Sequence, residues 1–179
     1  MSHQSTQAMI VNAPKRFYEL QRLHVSENGQ RSSYSGIRAT VFGGTSALGT
    51  VIGGLLTRTG SQNIYPYRNI GTIWDTRYKE LKTTADLGYK AYMRLTDFTN
   101  EKEIAYSLKD SNVVISCIGS KVYTKREKDF EDSNIRVPIA IAKAVKNNPN
   151  IKRFIYLSAA AADPNSQSPR LRTKWIGEQ

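Results

Sequence analysis

Arg38-Ala39-Thr40-Val41-Phe42-Gly43-Gly44-Thr45-Ser46-Ala47-Leu48-Gly49 is the stretch that decides the fold. Five β-prone residues run into a pair of glycines, and a helical pattern follows from Ser46 to Thr59. A strand that passes through a glycine turn straight into a helix is the context in which a dinucleotide-binding fingerprint carries meaning. Gly43 permits the tight turn, and Gly49 lets the helix lie close on the sheet. The start of the helix then offers unpaired N–H groups and the positive end of its dipole to a pyrophosphate. The middle position of the glycine spacing is Ser46. Its Cβ narrows the approach of a phosphate to the backbone, while its hydroxyl can donate to one. The competing reading is a glycine-rich turn that serves only strand-to-helix packing.

Working outward, Gln62–Tyr67, Tyr89–Leu95, Asn112–Ile118 and Arg153–Leu157 read as further strands. Helices are expected over Tyr78–Leu87, Glu101–Lys109, Asn134–Lys146 and from Arg170 onward. In Asn134–Lys146 the spacing puts Ile135, Ile139, Ile141, Ala142 and Val145 on the buried face. Strands alternating with helices, two of the strands nearly all apolar, imply βαβ units and a parallel sheet covered on both faces. The expected fold is α/β: a Rossmann-type doubly wound parallel sheet with strand order 3-2-1-4-5. Residues 36–179 form this nucleotide-binding domain, and residues 1–35 an arm with a short helix over Pro14–Leu23. Lys15, Arg16 and Arg22, with no acid before Glu19, are compatible with a mitochondrial presequence.

The second strand addresses which nucleotide is bound. NAD-preferring sites place an acidic residue about 20 residues beyond the glycines to hold the ribose 2′-hydroxyl. Here the strand ends Tyr65-Pro66-Tyr67-Arg68, and no acid occurs between Gly49 and Asp75. Arg68 falls where a 2′-phosphate would sit, and guanidinium suits bidentate phosphate contact. The cofactor expected is NADPH (NADP).

Composition removes other classes. The 179 residues include 26 Lys plus Arg against 15 Asp plus Glu, a formal charge of +11, with one cysteine and two histidines. Cys117 alone makes neither a disulfide framework nor a cysteine-rich zinc site. His3 and His24 both lie in the polar N-terminal stretch, so a histidine-built metal centre or Ser-His-Asp triad lacks its residues. No run approaches the roughly 18 apolar residues that cross a bilayer. The positive charge favours anionic partners, but it is dispersed. Its densest piece, Lys121 to Asp129, is interleaved with acids, and no nucleic-acid-binding motif accompanies it. No nucleic-acid partner is expected.

Several further segments carry a resemblance. They are Arg31 through Gly43, Pro66-Tyr67-Arg68, Ser111 through Ile115 with Ile118-Gly119, Phe130-Glu131-Asp132, Lys152 through Ser158, and Leu171 through Lys174 with Gly177-Glu178. Together they resemble the nucleotide-binding accessory subunits of mitochondrial respiratory complex I (alpha subcomplex, subunit nine), which are atypical extended short-chain dehydrogenases/reductases. The resemblance covers about residues 31–179. It implies NADPH held tightly and not turned over, in a respiratory-chain subunit peripheral to the inner membrane. That subunit would sit on the matrix side, near the junction of the peripheral and membrane arms, against other complex I subunits. By residue match it implies that Gly43, Thr45, Ser46, Ala47, Leu48 and Gly49 surround the pyrophosphate and Arg68 the 2′-phosphate. It further implies Asp97 facing the adenine, Ile118 and Gly119 flanking the adenosine ribose, Ser158 near the nicotinamide, and Lys174 on the nicotinamide ribose.

Active members of the wider superfamily use a Tyr-x-x-x-Lys pair with a helper hydroxyl to exchange a proton while hydride moves. Here the tyrosine position is Arg170, a permanent cation, and Ser158 is followed by Ala159 through Ala162. No catalytic residue is assigned, and the chain is expected to be inactive by itself. An extended dehydrogenase would also need at least one more strand and a C-terminal lobe. Either a second chain completes that lobe or the sequence is part of a longer one, and on both readings this chain is expected to be unstable as an isolated monomer. The alternatives are a working NADP-dependent oxidoreductase of the same atypical or extended class, and a relative whose basic surface binds polyanions.

Overall fold

The computed structural model of the chain describes residues 35–68, 88–120 and 126–179. The helices read at Pro14–Leu23 and Tyr78–Leu87, nearly all of the N-terminal arm, and residues 121–125 lie outside the described residues.

Five strands form one parallel sheet: β1 (Arg38–Phe42), β2 (Gln62–Tyr67), β3 (Tyr89–Arg94), β4 (Val113–Ser116) and β5 (Arg153–Tyr156). Their spatial order is β3-β2-β1-β4-β5, the doubly wound order expected from the sequence. The helices are α1 (Ala47–Arg58), α2 (Glu101–Leu108), α3 (Glu127–Glu131), α4 (Val137–Lys146) and α5 (Pro169–Glu178).

Central β1 is buried from Ala39 to Phe42, as a strand covered on both faces must be. Its one polar core residue, Thr40, is satisfied there: its hydroxyl donates to the Ser107 carbonyl at 2.9 Å and lies 2.6 Å from the Ser111 hydroxyl. On one face Phe42, Ile64, Met93, Leu95 and Val114 meet Ile104 and Leu108 of α2 and Ile141 of α4. On the other, Ala39, Val41, Tyr65 and Ile115 pack under Ile52 and Leu56 of α1.

The helix read as starting at Asn134 differs. The chain is already helical from Glu127 and passes through a π-type turn at Asp132–Arg136 before α4 begins. A π turn accommodates one more residue than an α turn and so rotates the register of the helix beyond it. The buried side of α4 is accordingly Val137, Pro138, Ala140, Ile141 and Ala144, whereas Ile139 and Ala142 are exposed. Strands read as Asn112–Ile118 and Arg153–Leu157 shorten to Val113–Ser116 and Arg153–Tyr156. Cys117, Ile118 and Leu157, trimmed from the far ends, belong to the loops at the carboxyl edge of the sheet, whereas Asn112 lies at the amino edge beside Arg38.

The α1 face is incompletely covered. Leu48, Val51 and Leu55 of α1 are 54%, 56% and 58% exposed. On β5, Ile155 pairs with Ile115 and so faces the same side, where it is 39% exposed.

Candidate functional site

The carboxyl edge of a doubly wound sheet carries its ligand crevice where the strand order reverses, here between β1 and β4. After β1 the backbone closes on itself: the Gly44 N–H donates to the Val41 carbonyl at 3.3 Å and the Ser46 N–H to the Gly43 carbonyl at 2.9 Å. Gly43 has φ +77°, and a Cβ there would stand 2.9 Å from the Cys117 carbonyl carbon, so only glycine fits between the β1 and β4 ends. A Cβ on Gly49 would overlap the Gly43 carbonyl outright.

Ser46 is the N-cap of α1, its hydroxyl oxygen accepting the Gly49 N–H at 3.1 Å. That bond leaves the hydroxyl hydrogen without an acceptor among the described residues. The N–H groups of Ala47 and Leu48 also find no acceptor among them. A helix start with open amides, a free hydroxyl hydrogen and no acidic residue in its first turn is chemically suited to an anion.

Arg68 follows β2 directly, and its guanidinium lies 5.7 Å from the centroid of the Phe98 ring. Asp97, after β3, accepts from the Thr99 N–H at 2.8 Å and the Thr99 hydroxyl at 2.7 Å. These bonds, aided by Arg68 and Arg136 nearby, hold its carboxyl below the usual carboxylate range.

The β4 and β5 ends are tied by one side chain. Buried Lys174 of α5 donates to the Ile118 carbonyl at 2.9 Å, the Leu157 carbonyl at 3.0 Å and the Tyr156 hydroxyl at 3.3 Å. An ammonium has three hydrogens, so a ribose hydroxyl would have to displace one of these acceptors. Burial, reinforced by the Arg170 charge and opposed by Cys117 and Glu178, lowers the Lys174 pKa. Burial also pushes the Tyr156 phenol up to about 12. A phenol so raised is a weaker acid than an ordinary tyrosine.

The twelve residues singled out from the sequence all fall at this edge. Gly43, Thr45, Ser46, Ala47, Leu48 and Gly49 make the β1–α1 turn. Arg68 and Asp97 stand on the β2–β3 side, and Ile118, Gly119 and Lys174 on the β4–β5 side. Ser158 is exposed two residues past β5.

Three neighbours escaped the sequence reading. Fully buried Asn134, read as a helix start, donates from Nδ2 to the Thr173 hydroxyl at 2.9 Å, and its Oδ1 is buried without a partner beside Gly119. A polar residue amid the apolar pattern of that helix was the available signal. Tyr156 and Phe98 gave none, since each reads as an ordinary core aromatic.

No family model matches the chain. Over 151 residues it is 41% identical to a Rattus norvegicus protein named NADH dehydrogenase (ubiquinone) 1 alpha subcomplex subunit 9, mitochondrial. Over 155 residues it is 38% identical to the NADH-ubiquinone oxidoreductase 40 kDa subunit, mitochondrial, of Neurospora crassa. The chain is a homologue of these subunits. The matches cover 84% and 87% of this chain but only 38% and 39% of those relatives, so it spans about two fifths of their length. Among solved structures, Bordetella bronchiseptica WbmH in complex with NAD+ superposes with a TM-score of 0.64. It is 16% identical, and the match covers 79% of this chain and 50% of WbmH. A short-chain dehydrogenase/reductase from Vibrio parahaemolyticus gives 0.61 at 15% identity, covering 78% of this chain and 72% of the other. At such identities these neighbours show the Rossmann-type fold alone.

Proposed function

We propose that the chain acts as a non-catalytic accessory component of mitochondrial NADH:ubiquinone oxidoreductase, with NADPH as a structural ligand. The observation that carries this reading is the 41% identity to the alpha subcomplex subunit across 84% of the chain. The site supports the ligand: the Ala47 and Leu48 amides and the Ser46 hydroxyl would hold the pyrophosphate, and Arg68 the 2′-phosphate. Asp97 would meet the adenine, and Ile118 and Gly119 the adenosine ribose. Ser158 and Lys174 would lie toward the nicotinamide.

NADPH carries a transferable hydride; in this reading the proton that must accompany it finds no partner among the described residues. Arg170 occupies the tyrosine position, and the Tyr156 phenol bonded to Lys174, its pKa pushed up to about 12, is a weak acid. The location in this reading is the matrix face of the inner membrane. No helix among the described residues is long and apolar enough to cross a membrane, which suits peripheral attachment.

Residues 36–179 would then be one nucleotide-binding unit whose uncovered face meets further polypeptide. Leu48, Val51 and Leu55 along α1, and Ile155 on the same side of the sheet, expose apolar side chains of the kind an interface covers. The test is native mass analysis of the respiratory assembly isolated through a tag on this chain. The reading expects co-migration with other subunits of the oxidoreductase, and loss of that co-migration in Leu55→Gln while the fold persists. A chain that migrates alone, or that steadily oxidises NADPH with an added carbonyl or quinone, would contradict it.

A further inference from the structure

The reading of Arg68 as the group that selects a 2′-phosphate leaves open what holds it in place. An arginine at the exposed end of a strand is rich in rotamers, and ordering it on binding has an entropic cost that a contact holding it beforehand would lower. Among the described residues no carboxylate lies within salt-bridge distance of Arg68. The neighbouring carboxylate, Asp97, is turned onto Thr99 by two hydrogen bonds of 2.8 and 2.7 Å. What Arg68 does meet is a ring. Its guanidinium carbon stands 5.7 Å from the centroid of Phe98, within the range of a cation–π contact.

That ring is fixed from below. Phe98 is 8% exposed and meets Phe42, the last residue of β1, edge to face, with ring centroids 6.2 Å apart at 74°. Phe42 itself is fully buried and ends one residue before the glycine turn. A rigid line therefore runs from the strand that carries the turn, through two aromatic rings, to the guanidinium one strand away. A guanidinium held over a ring still has N–H groups to offer a bidentate anion.

We infer that Phe98 is a positioning residue for nucleotide selection: by fixing the Arg68 guanidinium it sets the preference for a 2′-phosphorylated adenosine over an unphosphorylated one. This rests on the proposed binding of NADPH and adds to it the residue that makes Arg68 selective. Phe98 does not touch the phosphate; it acts through Arg68.

The experiment measures NADPH and NADH affinities by titration calorimetry on the full chain, purified with its native partners and stripped of nucleotide. Phe98→Leu keeps an apolar side chain but removes the π face. It should weaken NADPH about three- to tenfold and leave NADH unchanged, while Phe98→Tyr, which keeps the ring, should retain the wild-type ratio. Arg68→Lys keeps the charge but loses the bidentate guanidinium fork, and should lower the ratio at least as much as Phe98→Leu. Should Phe98→Leu not fold, Arg68→Lys and Phe98→Tyr decide alone. Equal weakening of both nucleotides in Phe98→Leu, or an unchanged ratio in Arg68→Lys, would overturn the inference and leave NADPH binding standing. A wild-type chain that binds neither nucleotide would overturn both.

Discussion

Two strand-to-helix turns lie at the same edge of the sheet and treat their polar groups in opposite ways. After β1 the chain reaches α1 within four residues, and the helix opens with the Ala47 and Leu48 amides unclaimed. After β5 it takes a longer route to α5 and uses up its own donors. Arg172 donates to the Ser166 and Gln167 carbonyls at 2.8 and 3.0 Å and pairs with Glu127 at 2.9 Å, and the Lys174 ammonium is shared among three acceptors. One turn is left open to an anion; the other is closed by contacts within the chain. The lesson is that open donors and committed donors can stand side by side at one sheet edge, so that a turn suited to an anion does not require its neighbour to be open as well.

The harshest way to break the contrast is at the open turn. Gly49→Ala drives a methyl into the Gly43 carbonyl, a backbone atom with no slack. The expected cost is about 3 kcal/mol or more, seen as a large drop in the denaturation midpoint together with loss of nucleotide retention. A stable Gly49→Ala chain that still retains nucleotide would show that the turn is not tight in the way described.

Lys174→Met probes the closed turn. It strips a donor from the Ile118 and Leu157 carbonyls and from the Tyr156 hydroxyl, and should destabilise by about 2 kcal/mol in chemical denaturation. Because the ammonium is committed inside the chain, NADPH affinity should fall much less than in any variant of the first turn. A large affinity loss with unchanged stability would instead make Lys174 chiefly a ribose ligand.

A subtler effect comes from the floor of the open turn, where Tyr65 lies against Gly44 and Gly53. Burial, partly offset by its contact with Thr57, pushes its phenol up to about 12. A raised pKa means that the unfolded chain releases this proton first as pH rises. The contribution is thus complete below about pH 10 and is lost as pH climbs through about 12. Tyr65→Phe should flatten the alkaline decline by about 1 kcal/mol over the first pH unit above 10, read from denaturation midpoints. An unaltered pH profile would mean that the ring is not held as buried as its place under α1 requires.

The strands and the glycine turn were legible in the sequence because each is local, and their order follows from the doubly wound fold they imply. Gly43, Gly49 and the apolar runs of β1 and β4 declare themselves without long-range information, and Arg68 follows from counting along β2. The face of α4 was not legible, since two apolar stripes are present and only the π turn at Asp132–Arg136 decides which one is buried. Nor could spacing disclose that Lys174 bonds to residues 56, 18 and 17 positions earlier in the chain. The role argued for Phe98 is equally non-local, because its environment is assembled from β1, the end of β2 and the loop after β3.

The central claim is that the β1–α1 turn and Arg68 together hold a 2′-phosphorylated dinucleotide. The most direct test is to purify the assembly without added nucleotide, denature it, and identify the released nucleotide by chromatography and mass analysis. Stoichiometric NADPH or NADP from the wild-type chain, absent from Arg68→Gln, is the result the account predicts. NAD in its place, or no nucleotide from intact wild-type protein, would contradict it.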